Sequence, residues 1–306
     1  MATITAALVK DLRTKTGAGM MDCKKALVEA NGDFEQAVDW LRTKGLAAAA
    51  KKSGRVAAEG LTAVCVSGTK GAAIEINSET DFVAKNEVFQ GLVKEVASLA
   101  VDHDSIESLK AAKTKSTKSV EDEVISNIAT IGENLNLRRM QSISVSDGVI
   151  ASYIHNSVTE DMGKISVLVA LESTGDKTKL MDTAKQLAMH IAAARPECLD
   201  KESVNPEIVQ REKDIFTEQS KASGKSDEII EKMIVGRIRK FLEEIVLLDQ
   251  TFVIDGKTKI SDLIANLAKE LGTPVVLKSY ARFELGEGIE KEESNFADEV
   301  AAVAKG

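Results

Sequence analysis

Asp81 and Phe82, an acid beside a large aromatic, are the residues whose types and spacing most invite chemistry. They sit in the stretch Asn77-Ser78-Glu79-Thr80-Asp81-Phe82-Val83-Ala84-Lys85-Asn86. What they offer is not covalent: an aromatic ring can wedge into an apolar pocket, and a carboxylate can disturb a neighbouring cation or hydrogen-bond donor. The elements that must position them are a strand and a helix. Ala72-Ala73-Ile74-Glu75-Ile76 reads as a strand, and beyond Val83 the residues Phe89, Leu92, Val93, Val96 and Leu99 recur at helical spacing. Thr80 or Asp81 is then expected to cap that helix. Two readings follow for Phe82. In one it lies seven residues before Phe89 on the same buried stripe and Asp81 only caps; in the other it points outward into a partner with a negative charge beside it. Periodicity leaves both open.

Other constellations fail their own chemical tests. Ser223-Gly224-Lys225-Ser226 resembles the end of a phosphate-binding loop, but Gln219 stands where the first glycine belongs, and the segment joins two helical stretches instead of following a strand. Gly17-Ala18-Gly19 begins a dinucleotide fingerprint whose third glycine is Asp22. His103, His155 and His190 have neither H-x-x-x-H spacing nor a cysteine neighbour, so no metal site is expected, and His190 reads as a packed helix residue. The acidic run Glu290-Lys291-Glu292-Glu293 reads as a solvated segment. No G-x-S-x-G nucleophile motif is present, no cofactor is expected, and the chain does not read as an enzyme of covalent chemistry.

Composition narrows the class further. With 43% hydrophobic and 29% charged residues the 306-residue chain is ordinary for a soluble protein, so disorder is not the default. A net charge of −8 argues against a direct nucleic-acid footprint and suits a protein partner. Cys23, Cys65 and Cys198 are odd in number and widely spaced, so they read as reduced thiols of a cytoplasmic protein. No segment has the apolar length of a membrane span, and Met1-Ala2-Thr3-Ile4-Thr5 does not begin a signal peptide. With three prolines and 4% aromatics the chain should be helix-rich, and each large ring matters.

Along the chain the expected fold class is α+β. Residues 1–46 read as an N-terminal three-helix bundle, with helices over Thr5 to Lys15, Asp22 to Ala30 and Phe34 to Lys44, the last capped by Asp33. Leu8, Leu12, Ala26, Leu27, Val38 and Leu41 form its small core, too few residues for more than a docking module. Residues 47–58 read as a linker, with Ala47 to Arg55 either linker or frayed helix end. An internal repeat follows: Glu59-Gly60-Leu61-Thr62-Ala63-Val64-Cys65-Val66 matches Asp147-Gly148-Val149-Ile150-Ala151-Ser152-Tyr153-Ile154 at an offset of 88. Gly132-Glu133-Asn134-Leu135 matches Gly272-Thr273-Pro274-Val275 at an offset of 140, so the second copy carries about 52 extra residues. The duplicated core is therefore divided into a first subdomain, 59–146, and a second, 147–202 with 246–285, interrupted by an antiparallel coiled-coil hairpin at 203–245. The hairpin's two stretches, Asn205 to Lys221 and Ser226 to Ile245, share the apolar seam Ile208, Ile215, Ile230, Ile234, Ile238, Phe241 and Ile245. A helix from Ser261 to Leu271 and a strand through Leu277 to Leu285 follow. Residues 286–306 form a C-terminal module whose helix, Asn295 to Lys305, has the stripe Phe296, Val300 and Val303.

The stretch around Asp81-Phe82 resembles the hallmark motif of the bacterial elongation factor Ts family, the guanine-nucleotide exchange factors of elongation factor Tu. Four further segments agree in order: Leu12 to Leu27, Gly132 to Leu135, Met189 to Ala193, and Gly286 to Lys291, so the resemblance covers essentially the whole chain. It implies that the first bundle is ubiquitin-associated-like and contacts the partner's nucleotide domain. It also implies that Thr80, Asp81, Phe82 and Val83 intrude beside the nucleotide and displace Mg²⁺. The partner-binding residues carried over are Leu12, Arg13, Gly19, Met20, Met21, His155, Phe296 and Val300. At His155 the match is imperfect: Asn156 replaces the usual glycine, and Ser157 to Met162 lengthen the hairpin. For the coiled-coil arm, a homodimer or 2:2 complex and a contact to the partner are both open. The alternative function is a non-catalytic adaptor that holds proteins together through the bundle and the arm.

Overall fold

The computed structural model describes residues 4–16, 18–221 and 226–290. The expectations for Gly17, for the loop Ser223-Gly224-Lys225, for Lys291 to Glu293 and for the C-terminal helix with Phe296, Val300 and Val303 lie outside the described residues.

Three helices open the chain: α1 (Ala6–Thr16), α2 (Met20–Glu29) and α3 (Phe34–Lys52). They close around Val9, Leu12, Cys23, Ala26, Leu27, Ala30 and Ala37. The Asp33 side chain accepts from Gln36 N at 2.9 Å and so caps α3. Here the structure departs from the sequence reading, because α3 runs through the stretch read as a linker and ends at Lys52. Ala47-Ala48-Ala49-Ala50 are the best helix formers and carry the helix onward. At Gly45 the side α3 turns toward α6 (Val120–Ile131) has no side chain; a Cβ there would sit 3.9 Å from Ala129 Cβ. The two helices can therefore lie close, and Arg42 reaches Asp122 at 3.2 Å across the contact.

The rest is built on one six-stranded antiparallel sheet, and the order strand–strand–helices–strand occurs in it twice. First come β1 (Glu59–Ser67), β2 (Lys70–Ser78), α4 (Glu87–Ala100), α5 (Ile106–Ala111), α6 and β3 (Leu135–Ser144). Then follow β4 (Gly148–Thr159), β5 (Met162–Glu172), α7 (Lys177–Ala194), α8 (Pro206–Lys221), α9 (Asp227–Ile245), α10 (Ile260–Leu271) and β6 (Val276–Glu284). In each triplet the second strand is central: β2 pairs with β1 and β3, and β5 with β4 and β6. The triplets join where Thr62 and Ala63 of β1 lie opposite Gly163 and Met162 of β5.

The sheet curls, so Val64, Ala73 and Ile143 of one triplet pack against Ile150, Leu168, Ala281 and Phe283 of the other. Outside this layer, α4 and α6 cover Leu61, Ile74, Ile76 and Leu137, while α7 and α10 cover Val149, Val167, Val169 and Leu277. The matched glycines of the sequence repeat have matched backbone roles. Gly60 (φ +117°) and Gly148 (φ +154°) each press on a strand opposite, where an added Cβ would lie 2.3 Å from Ile76 O and 2.0 Å from Leu171 O. Gly132 and Gly272 are the left-handed caps of α6 and α10.

Two polar centres fix long-range geometry. Glu75 of β2 is fully buried, bonded by Arg138 (3.1 Å), Arg139 (2.5 Å), Asn77 Nδ2 (2.9 Å) and Gly286 N (2.9 Å). Burial pushes its carboxyl up, but the bonds from Gly286, Asn77 and Arg139 outweigh this and leave it below the ordinary glutamate value. His190 of α7 is fully buried at the root of the helical hairpin. Its Nε2 lies 2.8 Å from Gln250 Oε1, and Nδ1 accepts from Val253 N at 3.3 Å, so both nitrogens are used by the neutral ring. Burial pushes its pKa down.

Candidate functional site

β2 is paired on both sides to its last residue, Ser78, which is itself buried. From there the chain is pinned residue by residue. The Ser78 hydroxyl donates to Thr80 O at 2.9 Å. Glu79 accepts from Asn134 N at 2.6 Å and pairs with Arg55 at 3.3 Å, while Asn134 Nδ2 donates to Arg55 O at 2.9 Å. Thr80 donates twice to one carboxylate: its N–H to Glu133 Oε2 at 2.9 Å and its hydroxyl to Glu133 Oε1 at 2.6 Å. On the far side Val83 and Ala84 are buried against the first triplet's core. A short tight helical turn, Val83–Lys85, leads to Asn86, and Gln90 Nε2 donates to Ala84 O at 2.9 Å.

Between these anchors stand Asp81 and Phe82. Phe82 is 78% exposed while Phe89 is fully buried, so the two do not share a stripe. The Asp81 side chain is exposed and has no hydrogen-bond or ion-pair partner among the described residues. The helix cap is neither Thr80 nor Asp81: Asn86 Oδ1 accepts from Val88 N and Phe89 N and caps α4. The tight turn between the strand and α4 moves the helix start beyond Phe82, which frees the ring from the helical stripe. Thr80 and Val83 thus hold the turn, and Asp81 and Phe82 are what it presents.

The other expected contact residues fall into separate groups. Leu12 is fully buried among Cys23, Ala26 and Leu27, so its side chain holds the helices together and cannot touch a partner, a correction to the sequence reading. Arg13 and Gly19 are exposed, and Met20 and Met21 in the first turn of α2 are 55% and 75% exposed. His155 stands exposed on β4, its Nδ1 3.2 Å from Tyr153 Oη. Asn156 takes a left-handed φ of +51°, and the β4–β5 hairpin continues to Thr159 opposite Met162. Gly163 faces the Asn156 carbonyl so closely that a Cβ would lie 2.7 Å from it.

The glutamate that fixes the turn escaped the sequence reading as a site residue. Glu133 lies 53 residues from Thr80, and its only sequence signal was membership of the segment Gly132 to Leu135. Burial raises the pKa of Cys23, Cys65 and Cys198, which keeps these thiols protonated. Among the described residues no helix is long and apolar enough to cross a membrane.

The described residues form a curled antiparallel sheet with a pinned acid–aromatic turn, joined to three packed helices. Comparison with known proteins identifies the family. The profile of the family described as Elongation factor TS matches residues 79–287. The elongation factor Ts of Rickettsia bellii is 59% identical over 304 residues, 99% of this chain and 98% of that protein. That of Rickettsia felis is 58% identical over the same shares, and that of Rhodospirillum centenum is 56% identical over 99% of this chain and all of its own. The chain belongs to the elongation factor Ts family, a family of elongation factors of protein biosynthesis.

Proposed function

We propose that this protein is the guanine-nucleotide exchange factor of elongation factor Tu, acting in the cytoplasm, and that Asp81 and Phe82 are the parts that loosen the nucleotide. The observation that carries this reading is Phe82, 78% exposed beside Asp81 on a turn whose flanking residues Glu79, Thr80 and Val83 are tied down. A GTPase grips its nucleotide through backbone donors, a lysine on the phosphates and a bridging Mg²⁺. Speeding release a thousandfold requires favouring the loosened state by about 4 kcal/mol. Full burial of a phenylalanine side chain supplies roughly 1.5 to 3 kcal/mol of that when its pocket exists only in the loosened state. Asp81, which needs no internal partner to be released first, adds charge beside the metal and disturbs Mg²⁺.

The surrounding parts seat the wedge. The N-terminal three-helix unit, read as ubiquitin-associated-like, docks on the partner's nucleotide domain through Arg13, Gly19, Met20 and Met21. The two triplets are read as a duplicated core, the second carrying the α8–α9 hairpin as a coiled-coil arm, and His155 faces a further domain of the partner. Coupling is reciprocal, so a factor that weakens GDP binding is itself released by GDP, which lets it turn over. The test is the release rate of fluorescent GDP from purified elongation factor Tu as this protein is titrated in. Saturable acceleration at substoichiometric amounts supports exchange. Binding without acceleration would make the protein an adaptor, and no binding would end the reading.

A further inference from the structure

We propose that Glu133 is a positioning residue for exchange: its carboxylate, held in the short connection between α6 and β3, sets the direction in which Asp81 and Phe82 are presented. The inference rests on the exchange reading above and deepens it. Glu133 follows Gly132, whose φ of +91° turns the chain sharply off α6. Both Glu133 oxygens are spent on one residue, Thr80, which immediately precedes the acid–aromatic pair. On the other side of that pair, Val83 and Ala84 are fixed by burial. The presented pair therefore has two anchors of different kinds, and only the Thr80 side depends on hydrogen bonds to a charge.

The neighbouring bonds make the clamp specific to the turn. Asn134, next to Glu133, binds Glu79, next to Thr80, so two adjacent residues of one segment hold two adjacent residues of the other at 2.6 to 2.9 Å. This pairing lies beyond the β2–β3 ladder, whose last pair is Ser78, the end of β2, with Leu135, the start of β3. Ladder hydrogen bonds cannot fix the turn there, and side-chain carboxylates take over that role. Releasing Thr80 leaves the core strands and Phe82 itself unchanged but lets the turn sample other directions. The fraction of molecules competent to insert the ring then falls, and the rate of release falls with it.

Glu133→Gln removes one acceptor oxygen and the charge while keeping the size. Hydrogen bonds to charged groups are strong enough that its loss should slow release in the saturated complex about tenfold, with the concentration for half-saturation little changed. Thr80→Val, which exchanges the hydroxyl for a methyl group and keeps the backbone N–H, should slow release several-fold, and the double variant should be no slower than Glu133→Gln alone. The deciding measurement is the same substitution in a Phe82→Ala background. With the ring absent its direction no longer matters, so Glu133→Gln should then cost less than about twofold. An equal loss with and without Phe82, a loss only in half-saturation, or no loss at all would overturn the proposal. Should Glu133→Gln unfold the protein, Thr80→Val in the two backgrounds decides alone. If the wild-type protein does not accelerate release, the exchange reading fails; if it does and Phe82→Ala releases at the same rate, the ring's role as the wedge fails; both results are distinct from failure of the clamp with the ring still required.

Discussion

Truncating Phe82 separates a wedge from a core residue by the size of two different losses. In the free protein 78% of the residue is exposed, so only about a fifth of its area is buried by the fold. Taking roughly 1.5 to 3 kcal/mol for full burial, Phe82→Ala should cost the isolated protein about 0.3 to 0.7 kcal/mol, a fall in Tm of about 1 to 2 °C. The exposed remainder is what a partner pocket would cover. On the same scale it is worth about 1.2 to 2.3 kcal/mol, which corresponds to roughly an 8- to 50-fold slower release if it is realised only in the loosened state. Differential scanning calorimetry of the variant gives the first number. Stopped-flow release of fluorescent GDP at saturating factor gives the second, with affinity for nucleotide-free elongation factor Tu measured alongside. A Tm lower by many degrees would show that the ring supports the fold. Equal losses in rate and affinity would show a general anchor, and either result would refute the reasoning.

Leu12→Ala should cost about 3 kcal/mol, as for a fully buried leucine, and amide exchange should locate the loss in α1 to α3 while the sheet stays protected. Glu75→Gln leaves Arg138 and Arg139 without their buried partner and should destabilise by about 3 kcal/mol at neutral pH, the low end for broken buried pairs because both arginines reach solvent. Because the folded pKa of Glu75 is depressed, its contribution is present above the ordinary value of 4.5 and is lost as pH falls through the folded value; urea titrations from neutral to acid pH should show the variant with a shallower decline below 4.5. For His190 the folded pKa is likewise depressed, so the fold prefers the neutral ring and stability should fall as pH drops below 6.5. A His190→Gln variant should lack that slope, and a wild-type curve flat from 7 to 5 would contradict the assignment.

The sheet and its repeat were legible because their signals are local or recur. The strand Ala72 to Ile76, the stripe Phe89 to Val96 and the glycine pairs 60/148 and 132/272 all have their cause within a few residues of themselves. The turn was harder. Asn86 and Asp81 are both good caps, and nothing in the sequence says that a tight helical turn inserts between strand and helix, so pattern alone starts the helix too early and leaves Phe82 open, and only the family resemblance points the ring outward. For Ala47 to Arg55 the sequence leaves linker and frayed helix end open, because four alanines favour helix while Gly45 and Gly54 interrupt it; in the structure α3 continues to Lys52 and meets α6 at Gly45. Helical spacing places Leu12 in the core and the family resemblance makes it a contact, and burial assigns it to the core. Glu133 had no local signal, since an acid after a C-cap glycine is ordinary and its target lies 53 residues away.

The two residue pairs that join β1 to β5 have a consequence for how the molecule comes apart. β5 has β4 along one edge, and its other edge is shared by β1 at Met162 and Gly163 and by β6 from Ile165 onward. Both triplets therefore hang on one strand, and cutting the chain between β3 and β4 would strip β5 of a neighbour at its very start. The repeat invites the idea of two units that melt one after the other, but neither can open its inner face without exposing Leu168 and Phe283 of the shared layer. The sheet should lose structure in a single cooperative step, with the amides of β5 the last to exchange with solvent.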